Sequence, residues 1–337
     1  MLNGSFLHVV KEYVYLGILF TNTGRFCKAL KRLTDQASRA MYAVFRKIRI
    51  LEIPIDCQLK LFDQLVQPVL LYGSEVWGFE NTVVIERVHL KFCKYILKLK
   101  QSTPDYMVYG ELGRYPLSIF IKIRMISYWC KLTSSQTSLS SIVYKLMFQM
   151  SIANPDYHFP LLKEVKCILQ NIGFNYIWLS QTFISVAWLK QNVKHVLIDN
   201  FLQRWRESKE NSSKGYYYNM FKELPSLEPY LLELPITLRI SLARFRTANH
   251  RLPIETGRWY NIVREERKCT LCKNFICDEM HFLLECPKLS EIRNKFLPQY
   301  YCMYPSAVKF SHLMSITYKP TLLKLASYIR SCMEIFH

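Results

Sequence analysis

Residues Phe26 to Ile50 read FCKALKRLTDQASRAMYAVFRKIRI. At 100° per residue, Leu30, Leu33, Ala37, Met41, Val44 and Ile48 fall on one face, while Lys28, Arg32, Arg39 and Arg46 lie on the opposite one. The pattern predicts a long amphipathic helix with an apolar side to bury and a cationic side for solvent or a ligand. Pro54 ends it, since proline has no N–H for a helical turn, and Asp56 suits the cap of another helix running towards Pro68.

Outward from this helix the pattern stays helical. Upstream, Val9 to Phe20 is rich in Val, Tyr, Ile and Phe and meets Thr21-Asn22-Thr23-Gly24, which predicts a strand or hairpin closing in a turn. Downstream, Val83 to Lys100 predicts a helix with Val84, Val88, Phe92, Tyr95 and Leu99 on one side, flanked by a stripe of Arg87, Lys91, Lys94 and Lys98. Gln101 to Pro104 reads as a loop and Leu117 to Leu132 as a helix. Seven of the nine residues from Thr133 to Ser141 are Ser or Thr, which marks that stretch as a linker. Tyr144 to Ser208 alternates helical patterns with short breaks, Glu207 to Gly215 is polar, and helices around Thr237 to His250 lead to a Cys/His cluster and a helical tail. The expected fold class is mainly α, with one N-terminal β-hairpin.

Charge narrows the partners. Among 337 residues, 45 are Lys or Arg and 26 are Asp or Glu, a formal charge of +19, so a polyanionic partner is expected. The longest clear apolar run, Tyr13 to Phe20, is far short of the roughly 18 residues of a membrane span. Met1 to Val10 lacks the charged start of a secretory signal. An intracellular protein of nucleus or cytoplasm, not secreted and not in a membrane, is the expectation. In a reducing compartment the 11 cysteines read as free thiols or metal ligands.

The sharpest motif is Cys269-x2-Cys272-x8-His281-x4-Cys286. Two cysteines separated by two residues can present both sulfurs to one ion from a single tight turn, and His281 and Cys286 would close a tetrahedral site from a short helix. Cys277 is an alternative to His281 as ligand. Four protein ligands leave no open position for a catalytic water, so the expected ion is a structural zinc. Near the cluster, Arg244, Arg246, Arg251 and Arg258 alternate with Phe245, His250, Trp259 and Tyr260, pairing phosphate-binding groups with stacking surfaces. With Lys28, Arg32, Arg39, Arg46 and the 87–98 stripe they make the expected nucleic-acid-binding set. No Walker-type loop, Gly-x-Ser-x-Gly elbow, His-Glu-x-x-His or Asp-Asp pair occurs, so no catalytic residues are assigned.

Several segments resemble, in order, the part of a non-LTR (LINE-type) retrotransposon reverse transcriptase that follows the catalytic palm. Tyr15-Leu16-Gly17 resembles the hairpin at the end of the palm, which in that family helps hold the primer end. Leu70-Leu71-Tyr72-Gly73-Ser74-Glu75-Val76-Trp77-Gly78 is similar to a segment of the following helices, as is Tyr109-Gly110-Glu111-Leu112-Gly113-Arg114-Tyr115-Pro116-Leu117. Arg244 to Pro253 and Glu255 to Arg258 resemble the stretch before a C-terminal Cys/His knuckle.

With the linker read from composition at 133–141, the resemblance implies a palm-end remnant in 1–25, a thumb-like helical domain in 26–132 and a helical C-terminal domain in 142–260. A CCHC zinc knuckle in 261–290 and a helical tail in 291–337 complete the division. It also implies binding to RNA, DNA or an RNA/DNA hybrid in target-primed reverse transcription, with the upstream polymerase domains as a possible partner. The family's catalytic Asp-Asp motif and its Mg ions belong upstream of the hairpin, so polymerase activity is not expected of this chain alone. The alternative is a domesticated or decayed fragment acting as a protein interaction module, with the Val9 to Phe20 hairpin as its sticky edge.

Overall fold

The first helix, α1, spans Cys27–Leu51 in a computed structural model of the chain that describes residues 10–154 and 156–336. Met1 to Val9, on which nearly all of the secretory-signal reading and the first residue of the Val9 to Phe20 run fall, lie outside the described residues. In α1, Leu30, Leu33, Ala37, Met41, Val44 and Phe45 are buried. Ile48, assigned to the same face, is only half-buried, because the apolar stripe shifts to Phe45 in the last turns. Glu52 takes a left-handed conformation just past the helix, with Pro54 close behind.

Ahead of α1 lies an antiparallel hairpin of β1, Glu12–Tyr15, and β2, Ile18–Thr21, in which Tyr13 faces Phe20 and Val14 faces Leu19. Its turn is Leu16-Gly17, inside the run read from the sequence as strand, and not the Thr21 to Gly24 segment. Both turn residues have positive φ, 45° and 83°, as a two-residue turn matching the right-handed twist of its strands requires, and glycine takes the larger value freely. Thr21 to Gly24 forms a second bend that feeds α1, closed by the Gly24 amide donating to the Thr21 carbonyl at 3.0 Å.

Contacts within the chain divide it into two units. The first takes residues up to Ile53, Leu59–His89 and Tyr115–Phe201. There α1 packs against the Phe62–Val66 and Gln67–Leu70 turns, and the Leu117–Ser134 helix packs against Ser74–Trp77, Leu139–Ala153 and Pro160–Asn171. Trp77 and Trp129 are among its largest fully buried side chains. The Ser/Thr-rich 133–141 stretch lies inside this unit. Its serines serve a local purpose: the Ser138 hydroxyl accepts from the Ser141 amide and caps the Leu139–Ala153 helix.

The second unit takes Pro54–Gln58, Leu90–Arg114 and the chain from Leu202 onward. The Ile236–Arg246 and Ser290–Phe296 helices pack on Lys319–Met333, and Tyr218–Phe221 packs on Ala307–Met314. Its core holds Phe245, Phe282, Phe310 and Tyr328. The described residues are mainly helical, with the one hairpin as their sheet. No described helix is long and apolar enough to cross a membrane.

Candidate functional site

Cys269 and Cys272 sit on a tight turn. The Cys269 amide donates to the Phe275 carbonyl and the Lys273 amide to the Cys269 carbonyl, both at 2.8 Å, and Lys273 takes a left-handed φ of 61° to close the loop. The partner side is the helical segment running to Glu285. Its start is capped by Asp278, whose Oδ1 accepts from the His281 amide at 2.9 Å. His281 and Cys286 are five residues apart, and an α-helix would set them about 140° apart around its axis. The segment His281–Glu285 is instead wound as a π-helix, with the Cys286 amide donating to the His281 carbonyl at 2.7 Å. The wider turn brings both side chains to one side.

The result is a cluster in which one ligand atom from each of Cys269, Cys272, His281 and Cys286 lies within 4.8 Å of all the others, a group that could hold a metal ion. Cys272 Sγ is 3.4 Å from His281 Nε2, and Cys269 Sγ is 3.9 Å from Cys286 Sγ. Cys277 is fully buried but stands outside the cluster, which separates it from His281 as a ligand. Burial, followed by the charge of Cys269, pushes the Cys277 thiol far up, so it stays protonated.

Other groups tune the four donors. Burial works against the Cys272 thiolate, yet hydrogen bonds from Asn274, Phe275, Cys269 and His281 bring the thiol down to about 7. Burial disfavours protonated His281, yet Glu285 and the thiols of Cys269 and Cys272 carry it up to about 9. Nδ1 of His281 has no hydrogen-bond partner and lies 3.7 Å from the Glu285 carboxylate, which fits a metal-bound imidazole oriented from behind by an acid. Glu285 and Asp278 were not singled out in the sequence, although Glu285 stands four residues after His281 and so one helical turn away.

The cationic residues fall into three groups. On α1, Lys28, Arg32, Arg39 and Arg46 are all exposed. Lys28 pairs with Glu12 of β1, while Arg32, Arg39 and Arg46 have no ion-pair partner among the described residues. Asp35, one turn from both Arg32 and Arg39, is the helix's one acid against seven cations.

The second row does not form a stripe. The helix is Val83–Ile96, shorter than expected, because Lys98 adopts a left-handed φ of 55° and the Leu99 amide turns back to the Lys94 carbonyl at 2.9 Å. Its buried face is Ile85, Val88, Phe92, Cys93 and Ile96, whereas Val84 is exposed. Lys94 is 6% exposed and donates to Asp105 at 2.7 Å and the Gln101 carbonyl at 2.8 Å. It is therefore a structural group, and only Arg87 and Lys91 of the row keep exposed positions on the helix.

Of the third group, Arg246 is buried at 5% exposure, bound to Glu111 and Glu228. A nucleic acid cannot reach it, so its expected binding role is withdrawn. Arg258 is largely committed to Glu255 and Ser213. Arg244 and Arg251 are exposed and line a cavity with Lys98, joined there by Lys100 and Arg330, which no spacing rule had marked. Tyr15, Leu16 and Gly17 are exposed at the hairpin turn, and the Tyr72 hydroxyl donates to the Leu16 carbonyl at 2.7 Å.

Comparison of the chain with protein-family models, curated proteins and solved structures finds no match.

Proposed function

We propose that the chain binds nucleic acid through the exposed cationic face of α1, as a template and primer grip of the LINE-type reverse-transcriptase kind. The observation that carries the reading is the line of Arg32, Arg39 and Arg46. They recur every seven residues, each nearly in register around the helix, with exposed guanidinium groups that form no ion pair among the described residues and Asp35 as the helix's one acid. From Lys28 to Arg46 the row covers about 27 Å at 1.5 Å per residue, long enough to follow several phosphates of an RNA/DNA hybrid. The apolar face stays packed while the row binds.

In the same reading the Cys/His cluster holds a structural zinc ion. Zn–S bonds of about 2.3 Å in tetrahedral geometry set neighbouring sulfurs roughly 3.8 Å apart, close to the 3.9 Å between Cys269 and Cys286. Zinc would lock the knuckle, and its chemistry would go no further, since all four positions are filled from the protein.

Titration of a labelled RNA/DNA hybrid at several salt concentrations tests the nucleic-acid role. With four phosphates engaged, log affinity falls against log salt with a slope of about 3 to 4. Charge reversal at Arg32, Arg39 and Arg46 should lower affinity alike for all sequences and flatten that slope. Unchanged affinity would mean that the row is only a solvated face. A protein interaction module is the second reading, favoured by β1, where Tyr13, Val14 and Tyr15 are all exposed along a two-stranded sheet. It predicts negligible affinity for the hybrid at low salt.

A further inference from the structure

In the second unit, the Lys98 to Lys100 loop and the C-terminal ends of the Ile236–Arg246 and Lys319–Met333 helices border a cavity of about 410 Å³. Its wall carries Lys98, Lys100, Arg244, Arg251 and Arg330, with Glu334 as the one acid. None of the five cations has an ion-pair partner among the described residues. A plain structural account would have them neutralise the helix ends. Each C-terminus contributes about half a negative charge, however, so two ends and Glu334 leave an excess of roughly three positive charges. The rest of the wall is mixed, with Leu99, Phe245 and Met333 beside the polar Ser241, Asn249 and His250, and Lys100 Nζ sits 4.4 Å from the Trp259 ring, which is 55% exposed.

The loop is built to hold its position. Asn249 is buried, and its side-chain oxygen accepts from the Lys100 amide at 3.3 Å and the Thr103 hydroxyl at 3.0 Å. Arg244 Nε donates to the Lys98 carbonyl at 3.0 Å, which leaves its terminal nitrogens for a ligand. The loop backbone and Arg244 are thus preorganised at the edge of a concavity of ligand size.

We propose that this cavity binds the phosphate of an unpaired nucleotide, with the base against Met333 or stacked on Trp259. A concave cationic wall beside apolar and aromatic surface fits one splayed nucleotide better than the convex backbone of a duplex. The proposal rests on the reading of the chain as nucleic-acid-binding and extends it to a second, single-strand site.

The test uses the full chain and the double variant Arg251→Glu with Arg330→Glu, both residues being exposed and free of ion pairs, so that the fold should survive; thermal unfolding checks this. The probes are a labelled 5′-phosphorylated single-stranded oligonucleotide, a free mononucleotide and the RNA/DNA hybrid. Losing charge-assisted contacts should weaken single-strand binding about tenfold or more, and flatten its salt slope by about 0.7 for each phosphate lost. Hybrid binding through α1 should stay unchanged. Mononucleotide binding that the variant abolishes would also support the pocket and make free nucleotides its source of phosphate. Oligonucleotide binding alone would assign it to strands. If wild type and variant hold the oligonucleotide and the mononucleotide equally, the pocket proposal is overturned. If the hybrid fails to bind wild type at all, it is the underlying reading that falls.

Discussion

Arg246 holds Glu111 through two parallel hydrogen bonds, Nε to Oε2 at 2.9 Å and Nη2 to Oε1 at 3.1 Å, across 135 residues of chain. Glu111 is fully buried, and Tyr230 donates a third bond to it at 2.7 Å. Glu228 stands 3.0 Å from the same guanidinium. Two segments recognised separately in the sequence, around Tyr109 and around Arg244, are thereby joined in the interior. Removing the Glu111 charge leaves Arg246 buried with only part of its compensation. Glu111→Gln should therefore cost about 3 to 5 kcal/mol in denaturant unfolding. Adding Arg246→Met to it should recover a good part of the loss, because no buried charge then remains unpaired; equal instability of single and double variants would refute this account.

The pair also marks where sequence reasoning stops. The core face of α1 was legible because burial repeats at the helical period over 25 residues, and only Ile48 missed. The four-residue Cys/His cluster was legible because its members lie within 18 residues and their spacing constrains the turn. Cation rows are different. A pattern says that charge recurs on a face, but not that Asp105 will claim Lys94 or that Glu111 will draw Arg246 inward. At 133–141 composition marked the break between the Leu117–Ser134 and Leu139–Ala153 helices but not that one of its serines caps the second.

Gly110 illustrates a second constraint inside the same segment. A Cβ built there would stand 2.2 Å from the Tyr218 hydroxyl and 3.2 Å from the Trp205 ring. Tyr218 is fully buried and Trp205 donates to the Tyr106 carbonyl at 2.7 Å, so neither ring can step aside cheaply. Gly110→Ala should lower stability by about 1 to 3 kcal/mol, despite alanine's better helix propensity. A thermal midpoint equal to or above wild type would show that the site has slack.

Alkaline stability should report on Tyr144. Burial lifts its hydroxyl from an ordinary 10.0 to about 12, opposed by hydrogen bonds with Trp129 and Gln181. A pKa raised in the folded state gives stability that is complete below pH 10 and is lost as pH climbs through 12. The size is on the order of 2 to 3 kcal/mol. Cys130, lifted by burial to about 11 in the neighbouring helix, adds a similar loss beginning near pH 9. Tyr144→Phe should flatten the upper part of the profile while lowering stability at neutral pH, because it leaves the buried Trp129 Nε1–H without its 2.7 Å acceptor. Unfolding curves from pH 8 to 12 decide the matter, and an unaltered slope in the variant would exclude Tyr144 as the source.

Metal content tests the place of Cys277, which the sequence left as an alternative to His281 in the ligand set. Cys286 belongs to the four-donor cluster and Cys277 does not, although both are fully buried. Cys286→Ser replaces a soft sulfur with a hydroxyl that binds zinc poorly, so the purified variant should lose its zinc or release it at far lower chelator concentration. Cys277→Ser should keep one zinc per chain, with at most the moderate instability of a polar atom placed in an apolar pocket. Stripping the wild type with a chelator should unfold the 269–286 loop first, since ion binding at such a site contributes on the order of 10 kcal/mol, and restoring zinc should refold it. His281→Cys offers the complementary check. It keeps four metal-binding side chains, so zinc should remain while the histidine's contribution to the pH dependence of release disappears. Metal loss from Cys277→Ser with retention by Cys286→Ser would reverse the assignment.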